Sequence, residues 1–293
     1  MFLTRQKILV AYLYLLGKSC SKLHLMKSLF LYCQEFENNI YDFHPYLRGP
    51  FSELVYLDLR KLDEKGIIKS KEYTLEIIDR DKIKQVISKL DPQIIYMISS
   101  IITKYGNMSD KVIMDTVYNR YPYFAINNPN KKKDYKNFDP RIQDINKIAT
   151  IFTIGYEGIT IDTYIDRLIK NNVHILVDVR KNPNSMKYGF SSRRLKDICE
   201  NRDIKYINIR ELGIEGEERK ELNSYEDYKK LFIEYRKTLP SKNQYINEIK
   251  NLLDLGNRIA LTCFEADCNY CHRNEVANYL HDYINGKYDL KHI

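Results

Sequence analysis

A chain of 293 residues has room for two ordinary cores, and its 44% apolar content is that of a globular protein. No apolar run reaches the roughly 18 residues of a membrane-spanning helix. The start, Met1-Phe2-Leu3-Thr4-Arg5, lacks a signal-peptide pattern, so the expectation is a cytoplasmic protein with no membrane partner and six reduced cysteines. The net charge of +8 is uneven. Residues 1–150 carry 24 Lys+Arg against 17 Asp+Glu, and residues 151–293 carry 23 against 22. A basic front half suits a polyanion, with nucleic acid and DNA first, although a solvated surface explains the charge equally well.

The first elements read as helices. Ile8, Leu9, Tyr12, Leu15 and Leu16 keep helical spacing until Gly17. Ser21 can cap a second helix with Leu25, Leu29 and Cys33 on one face. Residues 41–50 are too rich in Pro and Gly for helix. A third helix spans about Ser52 to Lys65, and residues 67–78 alternate weakly as a small hairpin. Three helices and a hairpin follow the order of a winged helix-turn-helix, which places one helix in a DNA groove. The third helix also carries Glu53, Asp58, Asp63 and Glu64, which a DNA-facing helix normally avoids, so a protein partner fits as well. Residues 82–124 read as interrupted helix. Residues 125–149 turn to Asn, Pro and Lys, including Lys131-Lys132-Lys133, and read as a basic linker. The expected division is a mainly α, winged-helix-like domain over 1–124, that linker, and a second domain over 150–293.

From Ile151 strands and helices alternate: strands at 151–154, 173–179, near 206–209 and at 258–264, with helices near 160–171, 192–201, 225–238, 243–255 and 272–284. That rhythm predicts an α/β domain with a largely parallel sheet. Sites in such sheets lie beyond the carboxyl ends of the strands, and three strand ends carry polar clusters.

The first cluster is Gly155-Tyr156-Glu157-Gly158, whose glycines allow a close backbone approach to a ligand and whose following amides could hold a phosphate. It falls short of a dinucleotide or P-loop pattern, and an ordinary strand-to-helix turn is the plainer alternative. The second is Asp178-Val179-Arg180, followed by Asn182-Pro183-Asn184-Ser185 and Gly189-Phe190-Ser191. Asp178 and Arg180 project from the same side of an extended segment. They are either a base with an anion-binding cation or a structural ion pair. Ser191 is placed to cap the helix that carries Arg193 and Arg194.

The third cluster runs from Cys263 to Arg273 and has four readings. Cys263, Cys268, Cys271 and His272 supply four zinc ligands at irregular spacing. Cys271 at a helix start could have a lowered pKa and act as a thiolate. Cys268-Asn269-Tyr270-Cys271-His272 matches a haem attachment motif, which normally needs export. The favoured reading has small buried thiols, no cofactor, and polar work done by Glu265, His272 and Arg273.

Together "Thr-Ile-Gly-Tyr-Glu-Gly", "Leu-Val-Asp-Val-Arg" with "Asn-Pro-Asn-Ser", "Gly-Phe-Ser", "Glu-Leu-Gly" at 211–213, and "Cys-Phe-Glu" followed by "Cys-His-Arg" resemble the family called domain of unknown function 488, over about residues 151–284. The resemblance marks Tyr156, Glu157, Asp178, Arg180, Phe190, Glu265, Cys271, His272 and Arg273 as motif positions, and implies an accessory role in nucleic-acid metabolism or defence without a settled activity. Residues 5–70, through "Leu-Phe-Leu-Tyr" and "Tyr-Asp-Phe-His-Pro-Tyr" before "Gly-Pro-Phe-Ser", are similar to the helical domain of Panacea and SocA-like antitoxins, which implies an interaction module.

The leading expectation is an enzyme acting on nucleic acid, at a base or its glycosidic bond, with phosphodiester hydrolysis next. Asp178 or Glu265 would be the carboxylate, His272 the general acid, Arg180 and Arg273 the phosphate ligands, and Tyr156 and Phe190 the stacking rings, with Glu157 beside them. On that reading Asp178→Asn abolishes turnover and spares binding. The competing expectation is a non-enzymatic, antitoxin-like adaptor whose α/β domain senses a nucleotide or small anion. A zinc- or thiol-dependent regulator is the third.

Overall fold

The computed structural model describes residues 2–130, 148–216, 222 and 224–293. The chain divides into two compact units, Met1–Asp139 and Pro140–Ile293.

In the first unit α1 (Thr4–Leu16) ends where Gly17 takes φ 71°. β1 (Cys20–Ser21) leads into α2 (Lys22–Glu35), and the Ser21 hydroxyl accepts the His24 N–H at 2.9 Å. β2 (His44–Tyr46) and β3 (Gly49–Phe51) form a short antiparallel hairpin where the Pro and Gly content predicted only irregular chain. α3 (Glu53–Glu64) starts on the Ser52 cap. β4 (Ile68–Ser70) and β5 (Thr74–Ile77) make the expected hairpin, and β1 joins it in the order β1-β5-β4. α4 (Arg80–Ile87), α5 (Pro92–Tyr105) and α6 (Asp110–Arg120) complete a helix-rich unit. Its core is built on Leu9, Leu25, Phe30, Leu59, Ile101 and Val117. Asp58 is not a surface acid. It is fully buried and accepts hydrogen bonds from Arg5, Gln6 and Tyr41, so it has no bearing on what the outside of α3 can touch.

Of the expected linker, residues 125–130 pack on this unit: Ile126 and Asn128 are buried, and Asn128 donates to the Tyr118 hydroxyl at 2.8 Å. Residues 131–147, with Lys131-Lys132-Lys133, lie outside the described residues.

The second unit contains β6 (Thr150–Gly155), α7 (Ile161–Lys170), β7 (Ile175–Asp178), α8 (Ser192–Glu200), β8 (Lys205–Asn208), α9 (Tyr225–Thr238), α10 (Asn243–Asp254), β9 (Arg258–Cys263), α11 (His272–Tyr283) and β10 (Asp289–His292). The five strands are all parallel, in the order β10-β6-β9-β7-β8. β6, β7 and β9 are buried along their whole length, because helices cover both faces. Ile151, Val177, Ile259 and Leu261 join one core with Ile249 of α10 and Val276 of α11, and Phe152, Leu176 and Ala260, which alternate with them, turn to the other face. The chain leaves β6, passes β9 to reach β7 and β8, then returns. The segments that follow β6, β7 and β9 therefore emerge side by side at one sheet edge. Among the described residues no helix is long and apolar enough to cross a membrane.

Candidate functional site

The first and third strand ends are laced together by backbone. The amides of Tyr156 and Glu157 both donate to the Phe264 carbonyl, at 3.0 and 2.9 Å. The Glu157 carboxylate accepts the Ala266 N–H at 3.0 Å. Arg273, buried in the first turn of α11, donates to the carbonyls of Glu265 and Ala266. Glu157 and Arg273, expected among the substrate-binding groups, thus each hold the third loop in place. Gly155 permits this crossing: a Cβ there would lie 1.8 Å from the Glu265 carbonyl oxygen. Gly155→Ala is expected to cost about 1–3 kcal/mol through that overlap. A lower urea midpoint together with faster amide exchange at Ala266 would be the result; an unshifted midpoint would refute the argument.

At the second strand end, Asp178 is fully buried and saturated. Its carboxylate accepts Arg180 Nε at 2.8 Å, Arg180 Nη2 at 2.5 Å, the Arg180 amide at 3.0 Å and the Tyr206 hydroxyl at 2.6 Å. Arg180 spends Nη1 on the Tyr156 hydroxyl at 2.8 Å and the Phe190 carbonyl at 2.9 Å. Burial opposes the Arg180 charge, but the bonds and charge of Asp178 outweigh it, and the guanidinium is held above its usual range. Burial and the same carboxylate push Tyr206 well up. Of the two readings for this pair, the geometry is that of the structural ion pair. The Asp178 carboxylate has four donors around it, and four of the five Arg180 N–H groups are spent on Asp178, Tyr156 and Phe190, although Arg180 borders the cleft described below.

The two rings expected to stack on a base stack instead on each other. Tyr156 and Phe190 lie parallel, centroids 4.2 Å apart, and Tyr164 meets Phe190 edge-on at 5.2 Å. Phe190 is fully buried. The ring turned outward is Phe264, 43% exposed and edge-on to Tyr156 at 5.3 Å. Lys187 closes the side, with Nζ donating to the Tyr156 carbonyl at 2.5 Å and its charge over both stacked rings; burial lowers its pKa. Sequence reasoning missed Phe264, Lys187 and Tyr206. Ser191 sits at the start of α8 as expected, yet its hydroxyl makes no capping bond.

The cysteine cluster resolves into three residues and one outlier. Cys263 ends β9, and Cys271 and His272 open α11; all three are buried, and their ligand atoms lie within 4.8 Å of one another. Cys268 sits apart, partly exposed on the 3-10 turn Cys268–Tyr270. His272 Nε2 is 2.9 Å from the Val179 carbonyl, so that nitrogen carries the proton, and Nδ1 presents its lone pair to Cys263 Sγ at 3.7 Å. The thiolate reading of Cys271 runs against its surroundings: burial, then Cys263 and Glu265, push the thiol well above its usual value despite Arg273, in keeping with the favoured reading of small buried thiols. The haem reading meets the same obstacle, since Cys271 faces the interior while Cys268 lies away from it.

Between these segments opens a cleft of about 630 Å³, lined by Tyr156, Lys181, Asn182, Cys263, Phe264 and His272 among others. Lys181 pairs with Glu215 at 2.8 Å on its rim. Gly213 of the "Glu-Leu-Gly" motif supports this wall, because a Cβ there would lie 2.3 Å from the Lys181 amide.

No curated protein and no solved structure matches the chain. Residues 160–280, inside the second unit, match the family described as Domain of unknown function DUF488.

Proposed function

We propose that the cleft of the second unit is the reaction site of a hydrolase acting on nucleic acid, directed at a base or its glycosidic bond. The observation that carries this reading is an exposed aromatic ring, Phe264, set beside Lys181, Asn182 and His272 at the carboxyl edge of a parallel sheet. Such an enzyme takes a base out of the stack, holds it on a ring and steadies the flanking phosphates with cations. Phe264 replaces Tyr156 and Phe190 as the stacking ring, and Lys181 replaces Arg180 and Arg273 as the phosphate ligand. With Asp178 closed, the carboxylate role passes to Glu265 or to Glu215, which lines the same cleft. His272 acts through whatever its Nδ1 faces.

The test is end-labelled DNA, ordinary and with modified bases, incubated with the full chain, treated with alkali and run on a sequencing gel. Alkali-dependent cleavage is expected on at least one substrate. Phe264→Ala should lower it about tenfold, the scale of one base–aromatic stack, with an unchanged melting temperature. DNA left intact across the set would hand the chain to the adaptor reading. That reading has its own support: the first unit carries a pocket of about 310 Å³ lined by Lys27, Tyr46, Arg48, Phe51 and Tyr56, suited to a partner's side chain.

A further inference from the structure

We propose that Cys263, Cys271 and His272 form a three-ligand site for a zinc-class divalent ion, with the fourth position open to the cleft. The site stands on its own geometry and does not depend on which substrate the cleft takes.

Three observations converge. The first is spacing. Tetrahedral ligands at the usual zinc–sulfur and zinc–nitrogen bond lengths lie roughly 3.5–3.8 Å apart. Cys263 Sγ and His272 Nδ1 are 3.7 Å apart, and the Cys271 sulfur completes a triangle with no edge above 4.8 Å. The second is the histidine tautomer. A metal-bound imidazole donates its other N–H to a carbonyl or carboxylate, which fixes the ring and aims the lone pair. His272 does this with the Val179 carbonyl at 2.9 Å, and the edge of Tyr235 packs against the ring at 5.7 Å. The third is access. Cys263 and His272 line the cleft, so a tetrahedral ion held by the three would turn its remaining position toward it, where water or a substrate oxygen could bind.

The donor set also settles the class of metal. Two thiolates and an imidazole are soft to borderline ligands; they select zinc, and cobalt as its spectroscopic substitute, over magnesium or calcium. Two thiolates balance a divalent charge, so the ion and its three buried ligands would carry no net charge, which suits a site set into the protein at the floor of the cleft. The third cysteine of the cluster does not take part: Cys268 lies on its own turn, and this leaves an open three-ligand site in place of a closed four-ligand one.

The experiment uses the full chain, purified under reducing conditions without a metal-affinity step, then dialysed against zinc or cobalt. About one ion per chain is expected, and the cobalt form should show thiolate charge-transfer bands with the visible bands of a tetrahedral ion. Cys263→Ser, Cys271→Ser and His272→Gln should each weaken zinc binding at least tenfold, and Cys268→Ser should leave it unchanged. Should a ligand variant fail to fold, the wild-type protein still decides the matter: zinc bound to the folded chain should raise its melting temperature, and denaturation should release the ion. Reduced wild-type protein that takes up no stoichiometric zinc or cobalt would overturn the proposal, as would a melting temperature unmoved by zinc. Bound zinc with every DNA substrate intact would leave this site standing and reject only the nucleic-acid reading.

Discussion

Asp178→Asn is expected to unfold the second unit rather than to silence an otherwise intact enzyme. The carboxylate holds Arg180 by two charge-assisted bonds and the Tyr206 hydroxyl by a third, all within 2.5–2.8 Å. An amide keeps one oxygen and puts a donor where the other stood, so either Nε or Nη2 of Arg180 would face another N–H. Arg180 cannot escape by losing its proton, and at 5% exposure it cannot turn to water. Removing one partner of such a pair typically costs 3–5 kcal/mol, because the other charge is left buried alone. The loss would spread. Arg180 Nη1 also carries the Tyr156 hydroxyl and the Phe190 carbonyl, so the stacked rings and the first loop depend on it. A fall of about 3–5 kcal/mol in the urea-derived stability of the second unit is the expected result. Arg180→Lys, which keeps the charge but not the fork, should lose less. If Asp178→Asn melted like the wild type and lost only activity, the carboxylate would be a proton carrier after all.

How much of this was legible beforehand depended on how locally each feature is encoded. β6, β7 and β9 were readable because strands buried on both faces are written as unbroken apolar runs, and the cap at Ser21 because the capping bond spans three residues. β10 was invisible: Asp289, Lys291 and His292 are exposed on an edge strand, so no apolar pattern marks it. The β2–β3 hairpin was hidden by its own chemistry. Pro45 and Pro50 face each other across the pair, which only a short two-stranded ribbon tolerates. At the site, the Asp178–Arg180 pair was foreseen because two residues apart means the same side of a strand. Tyr206, one of 25 tyrosines, had nothing to distinguish it until a parallel neighbour brought it to Asp178. Phe264 read as the last residue of a buried strand. The strand stops at Cys263, and the crossing over Gly155 turns the next side chain outward. The sequence clusters therefore located the edge correctly, while the roles within it depended on contacts between distant segments.

Lys27→Met should flatten the pH dependence of the first unit's stability between about pH 7 and 10. Lys27 is buried on α2, and its Nζ donates to the Pro50 carbonyl at 2.9 Å, under the turn that Gly49 makes at φ 92°. Burial lowers its pKa to about 7; Arg48 adds to the shift and Asp110 opposes it. The unfolded chain would hold this proton up to about pH 10.4. Between those values the unfolded state binds more protons than the folded one, so stability rises with pH, and below about pH 7 the full cost of the buried charge remains. The rise across the window is at most about 5 kcal/mol, from the size of the shift. Two thiols of the same unit act in the opposite sense. Burial raises the Cys20 and Cys33 thiols to about 12, which favours their protonated forms in the folded state and erodes stability once the pH passes the usual thiol value. Both cysteines remain in the variant, so subtracting the two pH curves isolates the lysine. Methionine leaves the Pro50 carbonyl without its donor, at a cost of about 1 kcal/mol, and removes the larger penalty of the charge at neutral pH. The variant should therefore have the higher urea midpoint at pH 7 and lose that advantage by pH 10. Parallel curves for the two proteins would mean that Lys27 keeps an ordinary pKa, and that water reaches the floor of this pocket.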